Sequence, residues 1–214
     1  MITAVFDLDG TLADTLHDLA DATNYGLKKL GYPIHPYESY RYFVGNGVPV
    51  LCERALPDGY KHDAERLREY FTEYYNIHYL DKTRLYDGIY DCIRRLADNG
   101  VVLAVATNKP QDFARKIIEK LIPEFNFVKV LGGCSERPKK PDPAIIREIT
   151  DILPTDNKCY MIGDSNVDIT TAQNSGLISI GCDWGFRGAD ELKNAGADFI
   201  AYKPSQIADY ILNA

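Results

Sequence analysis

The residues best suited to chemistry stand near the N-terminus, in the segment DLDGTLAD at 7–14. Asp7 and Asp9 lie where an apolar run, Thr3 to Phe6, gives way to a glycine turn. A carboxylate can attack phosphorus to form an acyl phosphate, which divides a difficult hydrolysis into two easier steps. A second carboxylate can protonate the leaving oxygen and then take a proton from the attacking water. The strand-end position favours Asp7 as the nucleophile and Asp9 as the acid and base. The alternative, that both are solvated turn residues without a chemical role, is less favoured.

Two further segments offer groups that could bind phosphate. In ATNKP at 106–110, Thr107 supplies a hydroxyl next to backbone N–H groups at a predicted helix start, which suits phosphate binding. The same residue could instead cap the helix that Pro110 opens. Lys140, in KKPDP at 139–143, offers a point charge for a phosphoryl group or for clustered carboxylates, unless it belongs to a solvated lysine pair.

A second acidic pair, Asp164 and Asp168, follows a later apolar run in the segment GDSNVD at 163–168. If the strands are parallel, this pair reaches the same sheet edge as Asp7. Clustered oxygen ligands of this kind suit Mg²⁺, which would screen the carboxylates from an incoming phosphate and stabilise charge in its transfer. The sequence therefore predicts a magnesium site that handles an anionic phosphate.

The elements that position these residues follow an α/β pattern. From residue 84 onward, short apolar runs alternate with amphipathic helical stretches, which is typical of a doubly wound, mostly parallel sheet with helices on both faces. Nearly continuous apolar runs are what buried parallel strands require. The predicted strands are Thr3 to Phe6, Val101 to Ala106, Phe127 to Leu131, Cys159 to Ile162, Ile178 to Cys182 and Phe199 to Ala201.

Residues 14–83 interrupt the alternation. After the first strand come three consecutive helical patterns with no strand between them: Leu16 to Leu30, Val48 to Leu56 and Leu67 to His78. Their apolar faces can pack together. The sequence thus predicts a catalytic core domain formed by residues 1–13 and 84–214, with an inserted helical domain at 14–83.

The overall composition excludes several classes of partner. The formal net charge of −7 would repel nucleic acid and anionic membrane surfaces. No apolar run approaches the roughly 20 residues that span a bilayer, and the first residues lack a secretory signal pattern. The five cysteines form no C-x-x-C pair and the four histidines show no zinc-ligand spacing, so we expect a cytoplasmic protein without zinc.

Taken in order, the segments DLDGTL, Thr107-Asn108, Lys140 and GDSNVD resemble the four motifs of the haloacid dehalogenase superfamily. This resemblance covers nearly the whole chain and implies a Rossmann-like core with an α-helical cap. It implies that Asp7 is the nucleophile, that Asp9 is the acid and base, and that Lys140 steadies the nucleophile and the phosphoryl group. The remaining implied roles are phosphate binding by Thr11, Thr107 and Asn108, Mg²⁺ binding by Asp7, Asp9 through its carbonyl and Asp164, and support of the metal by Asp168.

Within the superfamily the chain is similar to the phosphoglycolate phosphatase type, on the segments FVGNGVPVLCERAL at 43–56, GGCSERPKKPDP at 132–143 and DWGFRG at 183–188. The resemblance implies a small phosphate ester as substrate and a monomer or homodimer. It also implies a cap that excludes water and contacts the substrate through Gly45, Asn46, Gly47 and Arg54.

Other functions remain open at the level of sequence. A sugar phosphomutase or an inorganic pyrophosphatase of the same fold would use Asp7, Asp9 and Mg²⁺ in similar roles. A phospho-accepting regulatory domain also holds Mg²⁺ at acidic strand ends, but it needs neither Asp9 nor an insert of about 70 residues. A dehalogenase in this superfamily would dispense with Asp9, and an inactive binding protein has no positive support in the sequence.

Overall fold

A computed structural model describes residues 1–154 and 156–213, so that Thr155 and Ala214 of the predicted core segment lie outside the described residues. The chain divides into two compact units. The core unit comprises Met1–Ala13 and Leu85–Ala214, and the helical unit comprises Asp14–Arg84.

The strands within the described residues are β1 (Ile2–Phe6), β2 (Ala13–Asp14), β3 (Arg84–Leu85), β4 (Val102–Pro110), β5 (Phe127–Gly133), β6 (Lys158–Gly163), β7 (Ile178–Cys182) and β8 (Phe199–Ala201). Six of them form one sheet in the order β5-β4-β1-β6-β7-β8, while β2 and β3 form a separate two-stranded sheet. All neighbours in the large sheet are parallel. The predicted α/β fold class is therefore confirmed.

The central strands β1 and β6 are buried along most of their length. In β1, Ala4, Val5 and Phe6 have no exposed surface. Val5 and Met161 of β6 pack in one cluster with three isoleucines, Ile145, Ile146 and Ile149. Burial of both strand faces explains why the strands read as continuous apolar runs rather than as alternating ones.

The helices are α1 (Leu16–Leu30), α2 (Tyr37–Phe43), α3 (Val48–Ala55), α4 (Ala64–His78), α5 (Ile89–Asp98), α6 (Gln111–Leu121), α7 (Ala144–Thr150), α8 (Asn166–Ser175), α9 (Ala189–Asn194) and α10 (Ser205–Leu212). Helix α5 ends at its C-cap residue Asn99, and Gly100 follows with a φ of 73°. No helix in the described part of the chain is long and apolar enough to cross a membrane.

The helical unit contains one helix more than the three predicted patterns. The additional helix α2 begins after Pro36 and has seven residues, of which only Tyr40 is buried. So short an element with a single buried position produces no helical periodicity, which explains why the sequence did not reveal it. The prediction of three consecutive helices was wrong on this point.

Candidate active site

The carboxylate of Asp7 is held at the end of β1 by two neighbouring segments. The Asp7 backbone N–H donates a hydrogen bond to the Ile162 carbonyl at 2.8 Å, which continues the β1–β6 ladder beyond the end of β1. Lys140 Nζ lies 3.1 Å from Asp7 Oδ1, and the Thr107 side chain also hydrogen-bonds the carboxylate. Asp7 is 9% exposed, so it remains reachable from solvent while most of its surface is buried.

Lys140 is itself held by Asp168. Lys140 Nζ lies 2.6 Å from Asp168 Oδ1, and the other carboxylate oxygen of Asp168 accepts hydrogen bonds from the backbone N–H and the hydroxyl of Ser165. The Ser165 side chain in turn accepts a hydrogen bond from the Asp168 backbone N–H, which completes a capping box at the start of α8. Gly163 allows the close approach, since an added Cβ would lie 2.1 Å from Asp168 Cγ. Lys140 is therefore buried within an ion-pair network rather than one of a solvated lysine pair.

Asp164 is positioned by two turns that pack closely against it. Its Oδ2 accepts a hydrogen bond from the backbone N–H of Phe186 at 2.7 Å. Gly10 and Gly185 flank the carboxylate, and an added Cβ at either would lie within 2.6 Å of an Asp164 atom. The Thr11 hydroxyl donates to Asp164 Oδ1 at 3.5 Å, so in this structure its contact is with the acidic cluster.

The segment ATNKP at 106–110, which was predicted to bind phosphate at a helix start, has a different secondary structure from the one expected. Strand β4 continues through Pro110 and α6 starts at Gln111, so Thr107 is a buried strand residue and not a residue at the helix start. The alternative that Thr107 caps this helix was also wrong, because Pro110 occupies the N-cap position. The β4–β5 register is irregular between Ala106 and Pro110, which places the end of this strand outside a regular ladder.

The Asn108 side chain forms two hydrogen bonds with the segment that carries Lys140. Asn108 Nδ2 donates to the Lys140 carbonyl at 3.1 Å, and the Lys140 backbone N–H donates to Asn108 Oδ1 at 2.9 Å. The paired contact ties the end of β4 to the Lys140 loop. The Asn108 carboxamide therefore already bonds the Lys140 backbone. Phosphate binding by Asn108 stays a prediction.

A buried lysine that the sequence reasoning did not assign lies beside Asp9. Lys109 Nζ is 2.9 Å from Asp9 Oδ1, and the lysine and aspartate side chains are 1% and 12% exposed. A signal for this residue was present, because side chains two positions apart share one face of a strand. Had β4 been extended through Pro110, this period would have placed Lys109 beside Thr107.

The four residues predicted to contact substrate from the cap lie in the helical unit. Gly45 and Gly47 adopt positive φ values of 117° and 84° on either side of Asn46, and Gly47 precedes α3. Arg54 Nη1 donates to the backbone carbonyls of Tyr42 and Phe43, both at 3.1 Å. These bonds give Arg54 a structural task at the end of α2. Contact with substrate stays a prediction for all four residues.

The electrostatics of the cluster fit a divalent cation. Asp7, Asp164 and Asp168 each present a carboxylate oxygen, and these oxygens lie within 4.8 Å of one another. Burial raises the pKa of Asp7 to about 6 against the opposing effect of Lys140, and burial with the neighbouring Asp168 and Asp7 raises the pKa of Asp164 well above its usual value. A bound cation would favour the charged forms, and hard oxygen donors are those that Mg²⁺ and similar ions take.

Comparison with known proteins agrees with this geometry. The model of the haloacid dehalogenase-like hydrolase family matches residues 4–182. A phosphoglycolate phosphatase of Vibrio parahaemolyticus is 32% identical over 214 residues, which cover 96% of this chain and 94% of the relative. One from Psychrobacter arcticus is 34% identical, with 98% and 95% covered. A crystal structure of a Lactobacillus delbrueckii subsp. bulgaricus protein, provisionally assigned as a phosphoglycolate phosphatase, superposes with a TM-score of 0.91 at 33% identity, covering 98% of this chain and 97% of that one.

The chain therefore belongs to the haloacid dehalogenase-like hydrolase family. Within that family it is an enzyme of the phosphoric monoester hydrolase class, similar along nearly its whole length to phosphoglycolate phosphatases.

Proposed function

We propose that the chain is a Mg²⁺-dependent phosphatase that hydrolyses 2-phosphoglycolate through a phospho-enzyme on Asp7. The observation that supports this most is the convergence of three separate segments on the Asp7 carboxylate. Lys140 and Thr107 contact Asp7 directly, and Asp164 and Asp168 lie in the same cluster. The proposed substrate is that of the phosphoglycolate phosphatases that match the chain along nearly its whole length.

In the first chemical step an oxygen of Asp7 attacks phosphorus, and the bond from phosphorus to the ester oxygen breaks. Asp9 gives its proton to the departing alkoxide, which leaves as an alcohol. Lys140 keeps the Asp7 carboxylate in place during attack, and Asp168 and Ser165 keep Lys140 in place. Thr107, Asn108 and Thr11 are proposed to bind the phosphoryl oxygens.

In the second step Asp9, now ionised, takes a proton from water as the water attacks phosphorus. The bond between phosphorus and Asp7 breaks, which releases phosphate and restores both carboxyl groups. Asp7 and Asp164, with the backbone carbonyl of Asp9, would hold Mg²⁺, which when bound neutralises charge on the phosphoryl group.

Phosphate release from a substrate panel tests the proposal. The panel contains 2-phosphoglycolate, sugar phosphates, nucleotides and pyrophosphate, each measured with Mg²⁺ and again after chelation. We expect turnover that prefers 2-phosphoglycolate and that chelation abolishes. A preference for pyrophosphate, a sugar phosphate rearranged without release of phosphate, or turnover that survives chelation would each contradict a part of the proposal.

We also propose a cytoplasmic location. The five cysteines are all free, and Cys52, Cys92 and Cys182 are buried as thiols. Free buried thiols are usual where disulfides are kept reduced. Localisation of the tagged chain in fractionated cells would test this, and recovery in an exported fraction would contradict it.

A further inference from the structure

Two lysines are buried at the candidate active site, and they serve different carboxylates. Lys140 lies within 3.1 Å of Asp7 and 2.6 Å of Asp168. Lys109 lies 2.9 Å from Asp9. Each lysine side chain is 1% exposed. The nucleophile and the proposed acid and base therefore have separate ammonium partners.

The burial of Lys109 makes this contact more than a surface ion pair. An ammonium group removed from water loses several kcal/mol of hydration unless a close counter-charge compensates, and removal of one partner leaves the other charge uncompensated. A solvated lysine has many rotamers of similar energy, but the stem of Lys109 is enclosed by the protein. Its Nζ is thus a fixed point that holds Asp9 through Oδ1, and the proton that Asp9 transfers would be carried by the other carboxyl oxygen, Oδ2.

Asp9 needs such a fixed point because it lies in a turn after β1. The turn is closed by a hydrogen bond from the Gly10 N–H to the Ala13 carbonyl at 2.9 Å, which sets the backbone but not the direction of the Asp9 side chain. Proton transfer requires the carboxylate within hydrogen-bond reach of the leaving oxygen. A displacement of about 1 Å can lower a rate by about 10²-fold.

We propose that Lys109 is a positioning residue that holds the Asp9 carboxylate in the place from which it transfers a proton. This inference rests on the proposed role of Asp9. Lys109 and Lys140 would then have distinct roles in the reaction. Lys109 positions the residue that protonates the departing alcohol, and Lys140 positions the carboxylate that attacks phosphorus.

The dependence on leaving group tests the inference. An alkyl ester such as 2-phosphoglycolate needs a proton on its leaving oxygen, whereas p-nitrophenyl phosphate releases a stable phenolate without one. We compare kcat/KM, which includes steps only up to departure of the leaving group, so that hydrolysis of the phospho-enzyme does not enter. Lys109→Met should lower kcat/KM for the alkyl ester by about 10²-fold and for the aryl ester by less than about threefold.

Two further variants complete the experiment. Lys120→Met, at an exposed lysine of α6, is the matched control and should change neither value. Asp9→Asn should lower kcat/KM selectively for the alkyl ester, as Lys109→Met does. In the double variant, Lys109→Met should lower kcat/KM by less than about threefold beyond Asp9→Asn alone, because the effects of residues that act as a unit are not additive. This comparison also serves if Lys109→Met alone does not fold, since the double variant removes both charges of the buried pair.

The outcomes separate the inference from the proposed function. The positioning role would be overturned if Lys109→Met lowered kcat/KM equally for both esters, or if it caused a full second loss on the Asp9→Asn background. The proposed mechanism would still stand in that case, provided that Asp9→Asn lowers kcat/KM selectively for the alkyl ester. A non-selective Asp9→Asn would overturn the acid role of Asp9 and with it the inference.

Discussion

At the level of single residues, the buried carboxylate of Asp7 is held at the end of β1 by the ammonium group of Lys140 and the hydroxyl of Thr107. An acid directly after an apolar strand lies at the sheet edge where ligands bind, so Asp7 and Asp164 were placed from sequence. The Asn108 contact with the Lys140 loop and the Lys109 ion pair were not predicted. Both depend on how β4 ends, and the proline at 110 suggested an earlier start of the helix than the structure has.

Gly185 tests whether Asp164 is held in place for metal binding. An added Cβ would lie 2.2 Å from Asp164 Cβ and 2.5 Å from the Gly10 carbonyl, so Gly185→Ala must displace the aspartate or the backbone. Loss of groups that orient metal ligands typically costs 10-fold to 100-fold in affinity. A titration of activity with Mg²⁺ should therefore show a half-maximal concentration at least about tenfold higher than in the unchanged protein.

Gly176→Ala is the matched control for that substitution. An added Cβ at Gly176 meets nothing within 4 Å, although its φ of 68° disfavours alanine. We expect a loss of about 1 kcal/mol in the free energy of unfolding and an unchanged Mg²⁺ titration. Equal Mg²⁺ requirements in the two variants would argue against a role for Gly185 in placing Asp164.

At the level of elements, prediction succeeded where burial imposes a pattern. Strands β1, β6 and β7 are nearly continuous apolar runs because both of their faces are covered, and α1, α5 and α6 carry apolar residues at helical spacing. Helix α2 was missed because one buried tyrosine gives no period. The extension of β4 was missed because its last residues are polar, with Thr107, Asn108 and Lys109 buried by partners distant in sequence.

Asp18 should be a main determinant of stability in the helical unit. This buried residue near the start of α1 accepts hydrogen bonds from the backbone N–H of Lys82, and from the backbone N–H and hydroxyl of Thr83 at 2.8 and 2.7 Å. Asp18→Ala leaves these donors unsatisfied, which should lower the free energy of unfolding by about 2–3 kcal/mol in urea titrations. Asp58→Ala, at an exposed carboxylate, should change it by less than about 0.5 kcal/mol. Equal effects would refute this assignment.

At the level of the whole molecule, an acidic chain must accept an anionic substrate. The formal net charge is −7, yet the candidate active site contains the buried ammonium groups of Lys109 and Lys140 beside its carboxylates. Burial raises the pKa values of Asp7 and Asp164, and neighbouring carboxylates add to the rise, so a bound divalent cation would favour the charged forms. The charge balance of the site therefore supports the proposed requirement for a divalent cation.

Detection of a phosphoryl group on Asp7 is the most direct test of the central claim. Wild-type protein and Asp9→Asn, in which hydrolysis of the intermediate should be slow, are quenched with acid during turnover of p-nitrophenyl phosphate in Mg²⁺, because its phenolate leaves without the proton that Asp9 supplies. Borohydride then reduces an aspartyl phosphate to homoserine, which mass spectrometry of peptides locates. We predict homoserine at position 7, more of it in Asp9→Asn, and none in an Asp7→Asn variant that is folded and inactive. Modification of a different aspartate, or an Asp7→Asn variant with full turnover, would contradict the account.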